Sequence, residues 1–134
     1  MKRIFNSIVA CVMGLSCQGQ EKEFRSVPVE EFAQAMADST VVLLDVRTAD
    51  EHAAGYIEGT MLQIDVLKAD FDSLAVAHIR KGSTVALYCR SGNRSKRAAS
   101  ALVAKGYQVI ELATGYNGWV QAGKPVVVSK EQEP

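Results

Sequence analysis

Apolar positions along this chain fall into short unbroken runs separated by amphipathic stretches and by turns rich in glycine or charge. Val41-Val42-Leu43-Leu44-Asp45-Val46, Thr84 to Tyr88 and Val109 to Leu112 are apolar without strict alternation. Strands covered on both faces read this way, so these three runs predict central strands of a parallel sheet. Between them the period changes. Pro28, Glu30 and Glu31 suit a helix first turn, and Phe32, Ala35 and Met36 supply its apolar stripe. Thr48-Ala49-Asp50-Glu51 is a capping box, which predicts a short helix to about Ala54 before Gly55, its acidic residues serving mostly as caps. Tyr56 to Ile64 reads as extended or strand-like. Val66 to Ile79 carries a helical pattern with Leu67, Phe71, Leu74 and Ala75 apolar, and Lys81-Gly82-Ser83 is a turn. Ser95 to Lys105 predicts a helix ended by Gly106, and Gly115 to Ala122 a short closing helix with Trp119 as a core anchor. Strands alternating with helices imply an α/β fold with an open, mostly parallel central sheet and helices on both faces. In such folds a reactive loop belongs at the carboxyl end of a strand.

With 134 residues, 48% of them hydrophobic, the chain supports one compact domain and little more. Its 15 basic residues balance 15 acidic ones, so no global field exists to attract nucleic acid. The N-terminus reads differently from the rest. Lys2-Arg3 precedes an apolar stretch from Ile4 to Leu15, interrupted by Asn6 and Ser7, then Ser16-Cys17 and a polar segment. The stretch is too short for a transmembrane helix, which needs about 20 residues, and suits the core of an export signal. Ser16-Cys17 after such a core resembles a bacterial lipoprotein signal, although Leu15 stands two residues before the cysteine rather than three. Ile8-Val9-Ala10-Cys11 fits the local pattern better but has too short an apolar core before it. The expectation is a signal over residues 1–16, a tether over 17–23 with Cys17 lipidated, a domain over 24–128 and a tail over 129–134. That makes the protein exported, either periplasmic or held to a membrane through the lipid alone. Ordinary cleavage nearby, releasing a soluble exported protein, is the alternative.

If Cys11 leaves with the signal and Cys17 carries lipid, Cys89 is the single free thiol. Exported compartments favour disulfides, so an unpaired cysteine there is a liability unless its chemistry is used. Cys89 ends a strand and opens the loop Arg90-Ser91-Gly92-Asn93-Arg94-Ser95. Loop N–H groups and the positive end of the next helix, with Ser95 as its N-cap, then favour thiolate and bind anions. Arg90, Arg94, Lys96 and Arg97 crowd the first turn of that helix, where each cation opposes the helix dipole by roughly 0.3–1 kcal/mol. An anionic substrate or intermediate would resolve the conflict; a buried inert cysteine beside a solvated basic face would not explain it. His52 and His78 are far apart in sequence and read as surface helix residues. No cysteine pair has ligand spacing, so neither a metal nor a cofactor is expected. Gly92 to Lys96 lacks the glycine spacing of a nucleotide phosphate loop.

Three motifs together resemble the rhodanese (thiosulfate sulfurtransferase) family over nearly all of residues 24–128. They are Leu43-Leu44-Asp45-Val46-Arg47 followed by Glu51, Gly55-Tyr56-Ile57 and Gly59; Tyr88-Cys89-Arg90-Ser91-Gly92-Asn93-Arg94-Ser95; and Gly115-Tyr116-Asn117-Gly118-Trp119 with Gly123-Lys124-Pro125-Val126. Tyr56 stands where the family often has histidine, and Thr60-Met61-Leu62 replaces a commoner small apolar run. The resemblance implies that Cys89 takes a sulfur from a small donor such as thiosulfate, becomes a persulfide and passes the sulfur to cyanide or a thiol. Arg90 and Arg94 would bind the donor's sulfonate oxygens, and the N–H groups from Ser91 to Ser95, across Gly92 and Asn93, would hold the persulfide. A persulfide carrier or a redox-sensing module would keep the same loop. Cysteine phosphatases and arsenate reductases place five residues between cysteine and arginine, whereas four separate Cys89 from Arg94, a ring better matched to sulfur than to phosphate.

Overall fold

A computed structural model of the chain describes residues 23–129. Cys17, the signal segment 1–16 and residues 130–134 of the expected tail lie outside the described residues. Within them, five strands form a parallel sheet in the order β1 (Arg25–Val27), β6 (Gln108–Leu112), β5 (Thr84–Tyr88), β2 (Val42–Asp45), β4 (Leu62–Gln63). A second, antiparallel pair joins β3 (Gly55–Ile57) to β7 (Val126–Val128).

Strand side chains alternate between two faces, and the apolar residues of β2 and β5 divide accordingly. Leu44, Val85 and Leu87 join one buried cluster with Phe71 and Ala75 of α3 (Phe71–His78) and Ala98, Ala99 and Leu102 of α4 (Asn93–Ala104). Leu43, Ala86 and Tyr88 join the other, with Phe32 of α1 (Val29–Met36) and Trp119 of α5 (Gly115–Gln121). The sheet is thus covered on both faces, as its unbroken apolar runs predict. Trp119 is fully within the core, set edge-on to Phe32 at 6.2 Å between centroids, and its indole N–H donates to the Pro125 carbonyl.

Two expected helices change their bounds. The stretch beginning at the buried Val66 becomes helical only at Phe71, and from there the buried positions are Phe71, Ala75 and, just beyond the helix, Ile79, spaced four apart. Leu67 and Leu74, placed in the apolar stripe by sequence, are 55% and 37% exposed. The helix after Cys89 begins two residues earlier than Ser95, with Gly92 in the N-cap position, and ends at Ala104. The Thr48/Glu51 capping box forms as expected at the start of α2 (Ala49–Ala54), each side chain meeting the other's backbone N–H.

Candidate active site

Parallel β2 and β5 end side by side, with Asp45 opposite Tyr88, so the loops that follow them meet at the carboxyl edge of the sheet. Cys89 is the first residue past β5 and is 1% exposed, packed at the edge of the α3/α4 core cluster. The chain then turns through Gly92, whose φ of +106° suits glycine, and enters α4. Space imposes the same choice: a Cβ at Gly92 would lie 2.2 Å from the Ala113 carbonyl oxygen.

The turn directs donors at the sulfur. Gly92 N–H donates to Cys89 Sγ at 3.1 Å, and Ser95 Oγ, 3.4 Å away, accepts from the Cys89 thiol. Burial pushes the Cys89 thiol up, but the Ser95 hydroxyl and the N–H groups of Ser95, Gly92 and Ser91 more than offset it, leaving the thiol below its ordinary value. These donors come from the first turn of α4 and the loop before it. The loop itself is clamped from α5: Tyr116 and Asn117 N–H groups donate to the Cys89 and Arg90 carbonyls at 2.8 and 3.0 Å. Gly115, at φ +67°, lets the two backbones meet, because a Cβ there would stand 2.5 Å from the Arg90 carbonyl oxygen.

The cations of the loop do not all face an open site. Arg94 makes a two-pronged pair with Glu51 of α2, at 2.8 and 3.0 Å. Arg94 holds the Glu51 carboxyl down at about 2, working against its burial and with help from the Thr48 N–H. Glu51 is therefore more than a cap. Lys96 reaches the Gly92 carbonyl at 2.9 Å and the buried Glu111 carboxylate at 3.3 Å. Cations near the positive end of α4 are thus partly balanced by carboxylates from α2 and β6, rather than only by an incoming anion as the sequence pattern suggested. Arg90 is more open than Arg94 or Lys96, 62% exposed and 3.7 Å from Glu51. Ser95 does not cap the helix; its hydroxyl lies between Cys89 and Glu111.

A cavity of about 200 Å³ opens beside the loop, lined by Arg47, Glu51, Ala54, Gly55, Arg90, Tyr116 and Asn117. Its floor is rigid. Arg47 is buried, pairs with Asp45 at 2.7 Å, donates to the Gly55 carbonyl at 2.6 Å and lies 4.3 Å over the Tyr116 ring. Tyr88 accepts from the Ile57 N–H and exchanges a hydrogen bond with Thr60, and burial pushes its phenol up. His52, read as a surface residue, instead places Nδ1 2.9 Å from the same Asp45 and stacks on Tyr56 at 4.3 Å; His78 is exposed. Among the described residues no group of three or more His, Cys, Asp or Glu is arranged to hold a metal ion.

Sequence reasoning did not single out Glu111 as a partner of the Cys89 loop, nor the Asp45–Arg47 pair beside the cavity. Glu111 did carry a signal: a lone carboxylate inside an apolar strand run needs buried partners.

Comparison with known proteins places these features in context. The family model for the rhodanese-like domain matches residues 28–122. A protein named sulfurtransferase from Allochromatium vinosum is 35% identical over 100 residues, covering 73% of this chain and 90% of that protein. The thiosulfate sulfurtransferase GlpE of Pseudomonas fluorescens is also 35% identical, over 98 residues, covering 72% of this chain and 85% of its own. Among solved structures, a rhodanese-like domain protein from Staphylococcus aureus aligns with TM-score 0.61 at 27% identity, covering 72% of this chain and 91% of that one. The rhodanese-like domain of an Anabaena protein aligns with TM-score 0.71 over 84% of this chain and 85% of that one; at 20% identity it shows the fold alone.

Proposed function

This chain belongs to the rhodanese-like domain family, and from that premise we propose that it is a sulfurtransferase using Cys89 as its nucleophile. The observation that carries the reading is the placement of Cys89 Sγ at the end of β5, 3.1 Å from the Gly92 N–H, with the Ser91 and Ser95 N–H groups also favouring its thiolate. Covalent catalysis by a thiolate splits one difficult transfer into two easier ones. In the first, the Cys89 thiolate attacks the outer sulfur of thiosulfate; the donor's S–S bond breaks and sulfite leaves with its electron pair. In the second, cyanide or a thiolate attacks the outer sulfur of the persulfide, and the electrons of the Cys89 S–S bond return to Sγ. The N–H groups of Ser91, Gly92 and Ser95 offer fixed dipoles to the anionic sulfur in both steps, with little reorganisation.

Arg90 is the readier partner for the sulfonate oxygens because it is exposed and only loosely paired. Arg94 joins by sharing its charge with Glu51. The cavity beside the loop suits a small anion. The purified protein is expected to form thiocyanate from thiosulfate and cyanide, and Cys89→Ser, which removes only the nucleophile, to abolish that turnover. Turnover retained by the serine variant would refute the mechanism. Sulfur uptake without multiple turnover would favour the persulfide carrier.

We further propose that residues 1–16 are an export signal and that Cys17 anchors the domain, 24–128, through lipid. Incorporation of labelled fatty acid by the expressed chain, lost in Cys17→Ser, is the expected result; equal labelling of both would contradict it.

A further inference from the structure

Glu111 projects from the next-to-last position of β6 with no exposure to solvent. A carboxylate there needs donors, and three reach it. Ser26 Oγ of β1 donates to Oε1 at 2.6 Å, Ser95 Oγ of α4 donates to Oε2, and Lys96 Nζ of α4 lies 3.3 Å from Oε2. Lys96 is the charged group that faces Glu111, and Ser26 and Ser95 are its neutral donors. Around Cys89 the charged groups are Arg94, already paired with Glu51, and the more open Arg90.

Ser95 is the shared member of the two sets, and its hydroxyl carries one hydrogen. Glu111 and Cys89 Sγ lie on either side of it. When that hydrogen points to Glu111, Ser95 meets sulfur with a lone pair and can accept from the thiol S–H. When it points to sulfur, Ser95 stabilises thiolate and must accept a hydrogen from Glu111. The two arrangements differ by the concerted shift of two protons along one line.

Resting on the reading of Cys89 as the nucleophile, we propose that Cys89, Ser95 and Glu111 share one proton, with Glu111 as the positioning residue that sets the direction of the Ser95 hydroxyl. As thiolate forms, the S–H bond breaks and its proton passes to Ser95 Oγ, whose own proton passes to Glu111 Oε2. The products are a thiolate accepting from Ser95 and a neutral carboxylic acid donating to it. No oxidant or other reactant enters. The reverse shift returns the resting thiol. The proton belongs to the linked groups rather than to Cys89 alone, so alkylation of Cys89 should follow two macroscopic steps in place of one.

The test is the pH dependence of iodoacetamide alkylation, read by mass spectrometry at the Cys89 peptide of the full chain. The wild type is expected to show two steps. Glu111→Gln, of nearly the same shape, is expected to show one step, displaced about a unit below the upper wild-type step. In a Ser95→Ala background the same Glu111→Gln substitution is expected to have less than half that effect, since the link is gone. Superimposable wild-type and Glu111→Gln profiles, or an equal displacement with and without Ser95, would overturn the proposal.

A second measurement needs no variant. Carbon-13 shifts of the Glu111 carboxyl and Cys89 Cβ in the wild-type protein should step at the same two pH values; independent single titrations would overturn the coupling. Both readouts follow the thiol rather than turnover, so a protein inactive with thiosulfate could still show the shared proton.

Discussion

At Cys89 two opposing effects act on a buried thiol. Burial alone raises its affinity for a proton; the N–H groups and hydroxyl gathered by the turn at Gly92 reverse that. The turn depends on one missing side chain. Gly92→Ala would force an L-residue into a left-handed conformation, costing roughly 1–2 kcal/mol, and drive its methyl into the Ala113 carbonyl. Urea denaturation of that variant should show a loss of at least this size, and its Cys89 should alkylate more slowly at neutral pH. Unchanged stability and rate would mean that the turn is not what activates the sulfur. The sequence exposes this site well because cysteine, glycine and cations are contiguous. It hides Glu111 and the second role of Glu51, which reach the loop from β6 and α2. Ser95 lies inside the helix rather than at its cap for a related reason: the left-handed turn at Gly92 starts the helix early and leaves the Ser95 hydroxyl to Glu111.

Helix α3 illustrates a local pattern that permits more than one register. Val66 to Ile79 offers two apolar stripes, and tertiary packing selects Phe71, Ala75 and Ile79 over Leu67 and Leu74. Phe71→Ala should therefore cost about 3–5 kcal/mol by denaturant unfolding, against about 0.5 kcal/mol or less for Leu67→Ala. Equal losses would restore the register read from sequence. The central strands β2, β5 and β6 were legible because covered strands are apolar throughout. Strands β3 and β4 fall at the two ends of the extended stretch Tyr56 to Ile64, whereas β1 and β7 were not legible, since three-residue segments become strands only through their partners, Ile110 to Leu112 for β1 and β3 for β7.

Across the whole molecule, parallel pairing of β2 with β5 brings two loops distant in sequence to one edge, and Glu51–Arg94 ties them together. This tie makes stability depend on pH in a definite direction. The Glu51 carboxyl ordinarily titrates near 4.5 and is held at about 2 in the folded protein. Its contribution is present above its unfolded range and is lost as pH falls toward 2. Glu51→Gln, which also weakens the cap, should be less stable than wild type at pH 7 by about 1 kcal/mol, with the gap narrowing as pH falls below 4.5. A gap that is constant with pH would show the pair to be energetically idle.

All three scales converge on a buried thiol whose proton is loosened by the donors around it, as the proposed sulfur transfer requires. The most direct measurement is intact-mass spectrometry of the purified protein before and after incubation with thiosulfate, beside Cys89→Ser. The parent should gain about 32 Da, one sulfur, and lose it on addition of cyanide, while the serine variant gains nothing. An adduct on both proteins, or on neither, would contradict a sulfurtransferase cycle through a Cys89 persulfide.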